Sequence, residues 1–202
     1  MKRLLTTLVI LTGLIGSGGA VWADAQSDFD KGKAAYQSGD FATALKEWKP
    51  LADQGYAKAQ YNLGLKYDKG KGVTQDYAEA VKWYRKAADQ GIAEAQYNLG
   101  VAYDKGEGVT QDVAEAVKWY RKAAEQGDAE AQNNLGTMYY SGNGVLQDTI
   151  AAHMWLNIAA ANGNKKAAKN RDIVAGKLSS SGVEEAQKRA KRCMSSGYKD
   201  CD

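Results

Sequence analysis

The chain has 202 residues, 44% hydrophobic and 25% charged, with 22 Gly, a single Pro and a formal net charge of +3. That balance supplies apolar material for a core and excludes a disordered tail, a collagen-like fibre and a membrane bundle. One His and two Cys cannot build a two-histidine metal site or an ordinary zinc site, so neither metal nor cofactor is expected.

Lys2 and Arg3 precede an apolar run over 4–15, small residues over 16–20, and a Val21-Trp22-Ala23 end that suits signal peptidase. This predicts a cleavable secretory signal peptide over 1–23, with a second possible cut after Ala25. The alternative is a retained membrane helix, but twelve apolar residues fall short of the roughly 20 a bilayer core requires. No later stretch is long or apolar enough to span, and the leader has no cysteine for a lipid anchor. Export predicts a periplasmic or secreted protein in an oxidising compartment. The mature net charge of about +1 argues against a nucleic-acid partner.

Internal repetition at an offset of 36 organises everything that follows. Residues 24–55 form a divergent first unit, in which Ala44, Leu45, Ala52 and Gly55 match Ala80, Val81, Ala88 and Gly91. Its turn, Ser38-Gly39-Asp40, is tight, and Pro50 is predicted to remove one hydrogen bond and kink the second helix. Residues 56–91 and 92–127 are identical at 29 of 36 positions. A third copy over 128–163 keeps a skeleton that includes Ala131, Leu135, Gly136, Gly142, Gly144, Asp148, Trp155 and Gly163.

Within a unit the spacing predicts two antiparallel helices. In the first full copy Ala59, Gln60, Leu63, Gly64 and Tyr67 share one side of a helix over about 57–69, stopped by Gly70 and Gly72. Gly64 is a poor helix former, and its return as Gly100 and Gly136 predicts a neighbouring helix too close for a side chain. Asp76 with Glu79, and Asp112 with Glu115, predict N-caps of the capping-box type. The second helix, about 77–90, is expected to bury Ala80, Val81, Tyr84, Ala87 and Ala88, with Trp83 at the edge. In the third copy Ala151 replaces the glutamate, which predicts a weaker cap beside Asp148.

After Gly163 the pattern decays into helices expected at about 165–178 and 183–194, the second opened by Ser181-Gly182-Val183-Glu184 as a capping box. Residues 164–202 thus read as an atypical terminal cap. Cys193 and Cys201 are the only cysteines; in an exported chain a disulfide between them is the default, clasping the tail to the last helix. An intermolecular bridge or a redox pair are the alternatives.

The pattern Ala-x-Ala-x-x-x-Leu-Gly-x-x-Tyr, a Gly-x-Gly-Val loop, Ala-x-x-Trp and a closing Ala-Ala-x-x-Gly, at 36-residue spacing, resembles the Sel-1-like repeat, a relative of the tetratricopeptide repeat. The resemblance implies an all-α fold, an α-solenoid of antiparallel helix pairs whose first helices line a concave face that binds proteins or peptides. It implies an adaptor or scaffold, which a shared fold does not narrow to one function.

The candidate face also follows from helix geometry. Positions 58, 61, 65 and 68 fall within an arc of about 80° that avoids the side centred on Leu63. Stacking turns this arc into a ladder of Tyr61, Leu65 and Asp68, then Tyr97, Val101 and Asp104, then Asn133, Thr137 and Tyr140. Aromatics beside carboxylates suit a peptide or protein surface; the alternative is that Tyr61 and Leu65 pack against the next unit. Asn62, Asn98 and Asn134 recur beside the arc. Related repeats use asparagine there to hold a peptide backbone or carboxylate, and a local structural bond is the competing role.

Other motifs lead elsewhere. Asp68-Lys69-Gly70-Lys71-Gly72 lacks oxygen ligands at the third and fifth positions of a calcium loop, and no stretch has the Gly-Lys-Ser/Thr order of a phosphate loop. His153 stands where Val81 and Val117 stand and is expected to be a partly buried substitute. Ser196-Gly197-Tyr198-Lys199 formally reads Ser-x-x-Lys, and secreted cysteine-rich proteins of similar repeats are associated with β-lactam hydrolysis. Those proteins carry a cysteine pair in each repeat, which these repeats lack, and no Lys-Thr-Gly or Ser-Asp-Asn partner motif accompanies the serine. Residues 164–202 carry net +5 and residues 24–163 net −4, so the tail is either a solvated face or a contact for anionic envelope material. The reading is a non-enzymatic binding protein with a protein or peptide partner in the envelope. A weak penicillin-binding hydrolase and a cell-wall-associated factor are the alternatives.

Overall fold

The computed structural model describes residues 18–201. Among them ten helices follow one another: α1 (Gly18–Gln37), α2 (Phe41–Asp53), α3 (Ala57–Lys69), α4 (Tyr77–Asp89), α5 (Ala93–Lys105), α6 (Val113–Ala124), α7 (Ala129–Ser141), α8 (Thr149–Ala161), α9 (Lys165–Ala175) and α10 (Ser180–Ser195). Most of the expected leader lies outside the described residues, and α1 runs unbroken through both expected cleavage points. Each even-numbered helix from α2 to α8 packs against the helix before it and the helix after it, while α10 folds back onto α8. The result is an all-α solenoid with α1, α3, α5, α7 and α9 in one layer and α2, α4, α6 and α8 in the other.

Glycine sets how closely the layers approach. A Cβ on Gly64 would lie 2.6 Å from Cδ1 of Tyr84 and 3.3 Å from the Ala80 carbonyl oxygen; at Gly100 it would lie 2.7 Å from Cδ1 of Tyr120. Carbon atoms ordinarily sit about 3.5–4.0 Å apart, so only glycine admits the second helix of each unit. Around these contacts Leu63, Leu99 and Leu135 are fully buried.

Trp83 is buried, contrary to the expected edge position. Trp83 is 5% exposed and packs with Leu51, Ala52, Ala59 and Leu63, so it joins its own unit to the preceding one. Trp119 and Trp155 repeat the arrangement one and two units on. Helical periodicity puts this position at the boundary of the unit's own apolar arc, and the helix of the preceding unit covers it.

The caps differ from the expected boxes in one respect. Asp76 and Asp112 accept the N–H of Glu79 and Glu115, both at 2.9 Å. The glutamates do not reach back, because the backbone N–H of Asp76 is already bonded to the Tyr67 carbonyl. Glu79 instead accepts the Trp83 indole N–H and pairs with Lys82. Ala151 in the third unit therefore removes no cap contact, and Asp148 accepts from both Ile150 and Ala151. At α10, Ser179 rather than Ser181 is the cap, accepting the Gly182 N–H at 3.2 Å; its extended backbone, ψ 164°, lets the helix start earlier than expected. Pro50 lies within α2, which continues through it to Asp53.

Two structural devices were not read from the sequence. Gln60, Gln96 and Gln132 are buried, each donating to the last turn of the preceding second-layer helix at Ala52, Ala88 or Ala124. Each accepts in turn from the Gln90, Gln126 or Asn162 amide that ends its own unit. Their recurrence in all three copies was the available signal. Lys66 is fully buried where Ala102 and Met138 sit in later units. Its ammonium donates to the carbonyls of Phe41 and Lys71 and lies 5.3, 4.9 and 5.7 Å from the ring centroids of Tyr36, Phe41 and Trp48. Burial pulls its pKa down, opposed by the Asp40 carboxylate. The divergent first unit contributes the rings of this cage, which offsets part of the desolvation through cation–π attraction.

Cys193 and Cys201 form a disulfide. It holds a reversed tail in which the Tyr198 N–H donates to the Cys193 carbonyl and the Tyr198 hydroxyl bonds to Asn162. Tyr198, Cys193 and Cys201 thereby join the core of the third unit.

Candidate functional site

The ladder residues come from equivalent faces of α3, α5 and α7 because the 36-residue step returns each helix in the same orientation. Tyr61 and Leu65 are half-buried against a cluster that includes Leu99 and Ala102, and Tyr97 and Val101 against one that includes Leu135 and Met138. Packing against the next unit, the alternative role, thus occupies one side of these residues and leaves the other open. Tyr61 stands 6.1 Å from Tyr84 and Tyr97 6.0 Å from Tyr120, ring centre to ring centre.

A cleft of about 240 Å³ opens between the first two full units, lined by Asp68, Tyr84, Tyr97, Asn98, Val101 and Lys105 among others. Tyr84 donates its hydroxyl proton to Asp68 at 3.3 Å, and Tyr120 donates to Asp104 at 3.4 Å. Burial is the main cause that pushes both phenols far above the ordinary tyrosine range, and the neighbouring carboxylates add to it. Burial likewise raises Tyr61 and Tyr97, with Glu94 acting next on the first and Glu130 on the second. The cleft is therefore lined by phenols, with Asp68 and Glu107 standing beside Lys69 and Lys105.

Two of the asparagines have partners. Asn98 acts on the Tyr61 and Tyr84 phenols of the preceding unit, partly opposing the rise that burial causes, and Asn134 acts the same way on Tyr97 and Tyr120. Asn62 makes no side-chain hydrogen bond to the described residues. The third rung is less open than the others. Asn133 is 8% exposed and accepts from Asn170 of α9 at 3.0 Å, the Thr137 hydroxyl donates to the Asn134 carbonyl, and Tyr140 packs beside Leu156 and Val174.

The remaining candidates, Ser196 and His153, sit in the tail turn and in the core of α8. The Ser196 hydroxyl donates to the Cys193 carbonyl at 2.8 Å and accepts the N–H groups of Lys199 and Asp200, so it pins the tail turn. His153 is more deeply buried than expected, at 2% exposure, with Nδ1 lacking a partner. Its burial, reinforced by the Arg171 charge, pulls its pKa down and keeps the ring neutral. No group of three metal-ligating side chains occurs among the described residues, and no helix among them is long and apolar enough to cross a membrane.

The Sel1 repeat model matches residues 57–92, 93–128 and 129–164. A solved Sel1 repeat protein from Oxalobacter formigenes is 33% identical, with a TM-score of 0.71, over 84% of this chain and 77% of its own. The protective antigen c5321 of uropathogenic Escherichia coli, which displays an SLR fold, is 29% identical with a TM-score of 0.62, over 89% of this chain and 48% of its own. No curated protein is significantly similar. Three consecutive matched repeats, spaced as the glycine contacts and the glutamine ladder require, place the chain in the Sel1-repeat family.

Proposed function

We propose that this protein is a non-enzymatic scaffold of the bacterial envelope that binds a protein or peptide along a concave face formed by α3, α5 and α7. Sel1-repeat proteins are in general protein-interaction scaffolds. The observation that carries the reading is the open cleft beside Tyr97 and Val101, where aromatic and apolar side chains stand half-exposed among carboxylates. Interface anchors have this composition. The basic leader with its apolar run and the Cys193–Cys201 bridge support an exported location.

The test compares envelope affinity purifications of tagged wild type and a Tyr97→Glu, Val101→Glu double variant, after circular dichroism shows both to be folded. Loss of a partner with the variant supports the concave site. The same proteins with both, or none with either, would refute it.

A further inference from the structure

The same 36-residue step that aligns α3, α5 and α7 continues into α9. It puts Lys169 at the position of Tyr61, Tyr97 and Asn133, Asn170 at that of Asn62, Asn98 and Asn134, and Ile173 at that of Leu65, Val101 and Thr137. The bonding agrees with the alignment. Asn170 donates to Asn133 of the preceding rung at 3.0 Å, and the aligned Asn98 and Asn134 act on the phenols of Tyr61 and Tyr97 in the rungs before them. Structurally, α9 is a fourth rung of the ladder, although the repeat pattern has decayed there.

Its chemistry departs from the rungs before it. Lys166 occupies the place of Lys58, Glu94 and Glu130, and Lys169 that of Tyr61, Tyr97 and Asn133, so among α3, α5, α7 and α9 only α9 sets two lysines side by side on this face. Lys166 and Lys169 are exposed and, like Lys58, form no ion pair with a carboxylate among the described residues, whereas Lys82, Lys105 and Lys118 each pair with a glutamate. Ile173 is 52% exposed, well above the buried apolar positions of the repeats. It borders a hollow of about 150 Å³ lined also by Tyr140, Leu156 and Val174, large enough for one branched or aromatic side chain. Lys166, Lys169 and Ile173 are spaced by three and four residues, which aligns them on one side of α9.

We infer that the α9 end of this face is a subsite for a peptide segment of a partner protein carrying a carboxylate next to a bulky apolar side chain. The apolar group enters the hollow beside Ile173 and Tyr140, and the carboxylate faces Lys166 and Lys169. The occupant follows from charge complementarity: unpaired lysines attract an anion, and the apolar hollow beside them selects an anion that carries a side chain. The subsite deepens the scaffold reading and rests on it.

Fluorescence anisotropy with the purified protein tests this using three labelled twelve-residue peptides in a Gly/Ser background, centred on Asp-Phe-Asp, Lys-Phe-Lys or Asp-Ser-Asp. The Asp-Phe-Asp probe is expected to bind about tenfold more tightly than either other, and less tightly as salt screens the lysines. Lys169→Glu is expected to invert the preference between Asp-Phe-Asp and Lys-Phe-Lys, a reversal that misfolding does not produce. Ile173→Ser is expected to weaken Asp-Phe-Asp about tenfold.

Equal binding of the three probes, no binding, or indifference to Lys169→Glu overturns the subsite. So does Lys169-dependent sedimentation with phosphatidylglycerol vesicles when the peptides fail, since that assigns the patch to lipid. Failure of the wider reading gives a different pattern: Asp-Phe-Asp binding that depends on Lys169, while the Tyr97→Glu, Val101→Glu variant retains every envelope partner.

Discussion

Gly100→Ala adds one methyl group where the two helices of a unit approach each other closely. The new Cβ would stand 2.7 and 2.8 Å from Cδ1 and Cε1 of Tyr120, and 3.3 Å from Cγ. Reaching ordinary carbon contact, about 3.5–4.0 Å, needs a displacement of roughly 1 Å. Tyr120 is 1% exposed, its ring stands beside Tyr97 and its hydroxyl is bonded to Asp104, so it has little room to withdraw. Alanine gains about 1 kcal/mol of helix propensity over glycine, while forcing a methyl group into a packed site costs about 1–3 kcal/mol and occasionally more. With the contact this short the upper part of that range applies, leaving a net loss of about 1–2 kcal/mol. For a chain of this size that corresponds to a fall in Tm of roughly 2–8 °C. Thermal melts followed by circular dichroism read it directly. A Tm equal to or above wild type would show that helix propensity wins, and that the recurring glycine does not set the layer spacing.

Gln96→Leu should destabilise by about 0.5–1.5 kcal/mol, since it removes one bond to the Ala88 carbonyl, which keeps the Gly91 N–H, and takes the acceptor away from the Gln126 amide; urea unfolding checks this, and an unchanged midpoint would contradict the ladder's role. Reducing the Cys193–Cys201 disulfide should lower stability by about 2–3 kcal/mol from the short loop it closes and free the Tyr198 tail, seen as faster amide exchange around Tyr198. Protection unchanged by reductant would mean that packing alone holds the tail. Alkali should unfold the protein cooperatively. Tyr84 and Tyr120 have folded pKa values above the unfolded value of about 10, so the stability they contribute is complete below pH 10 and falls as pH rises beyond it. Ultraviolet titration should show the buried phenols ionising together with loss of helix; their ionisation near pH 10 with the helices intact would refute this.

Much of the architecture was legible because it repeats. A helix needs only local periodicity and its stop signals, which is why 57–69 and 77–90 were delimited within a residue. A glycine that returns three times on a buried arc implies a close neighbour even before that neighbour is known. The candidate face was likewise legible as an arc on one helix multiplied by the repeat.

What required the third dimension were contacts whose two halves lie in different units. Lys66 reads as an ordinary surface lysine until Tyr36, Phe41 and Trp48 of the first unit close around it. Trp83 reads as an edge residue until the preceding unit covers it. Glu79 reads as half of a capping box until the Tyr67 carbonyl takes the N–H it would have bonded. The fourth rung on α9 is the clearest case, because its residue types had drifted and only the Asn170–Asn133 bond and the packing against α8 give its register. Chain-local patterning thus determined the helices, the repeat and the exposed arc. Burial and hydrogen-bond partners between units were decided by the solenoid stack, because both depend on which surfaces it brings together.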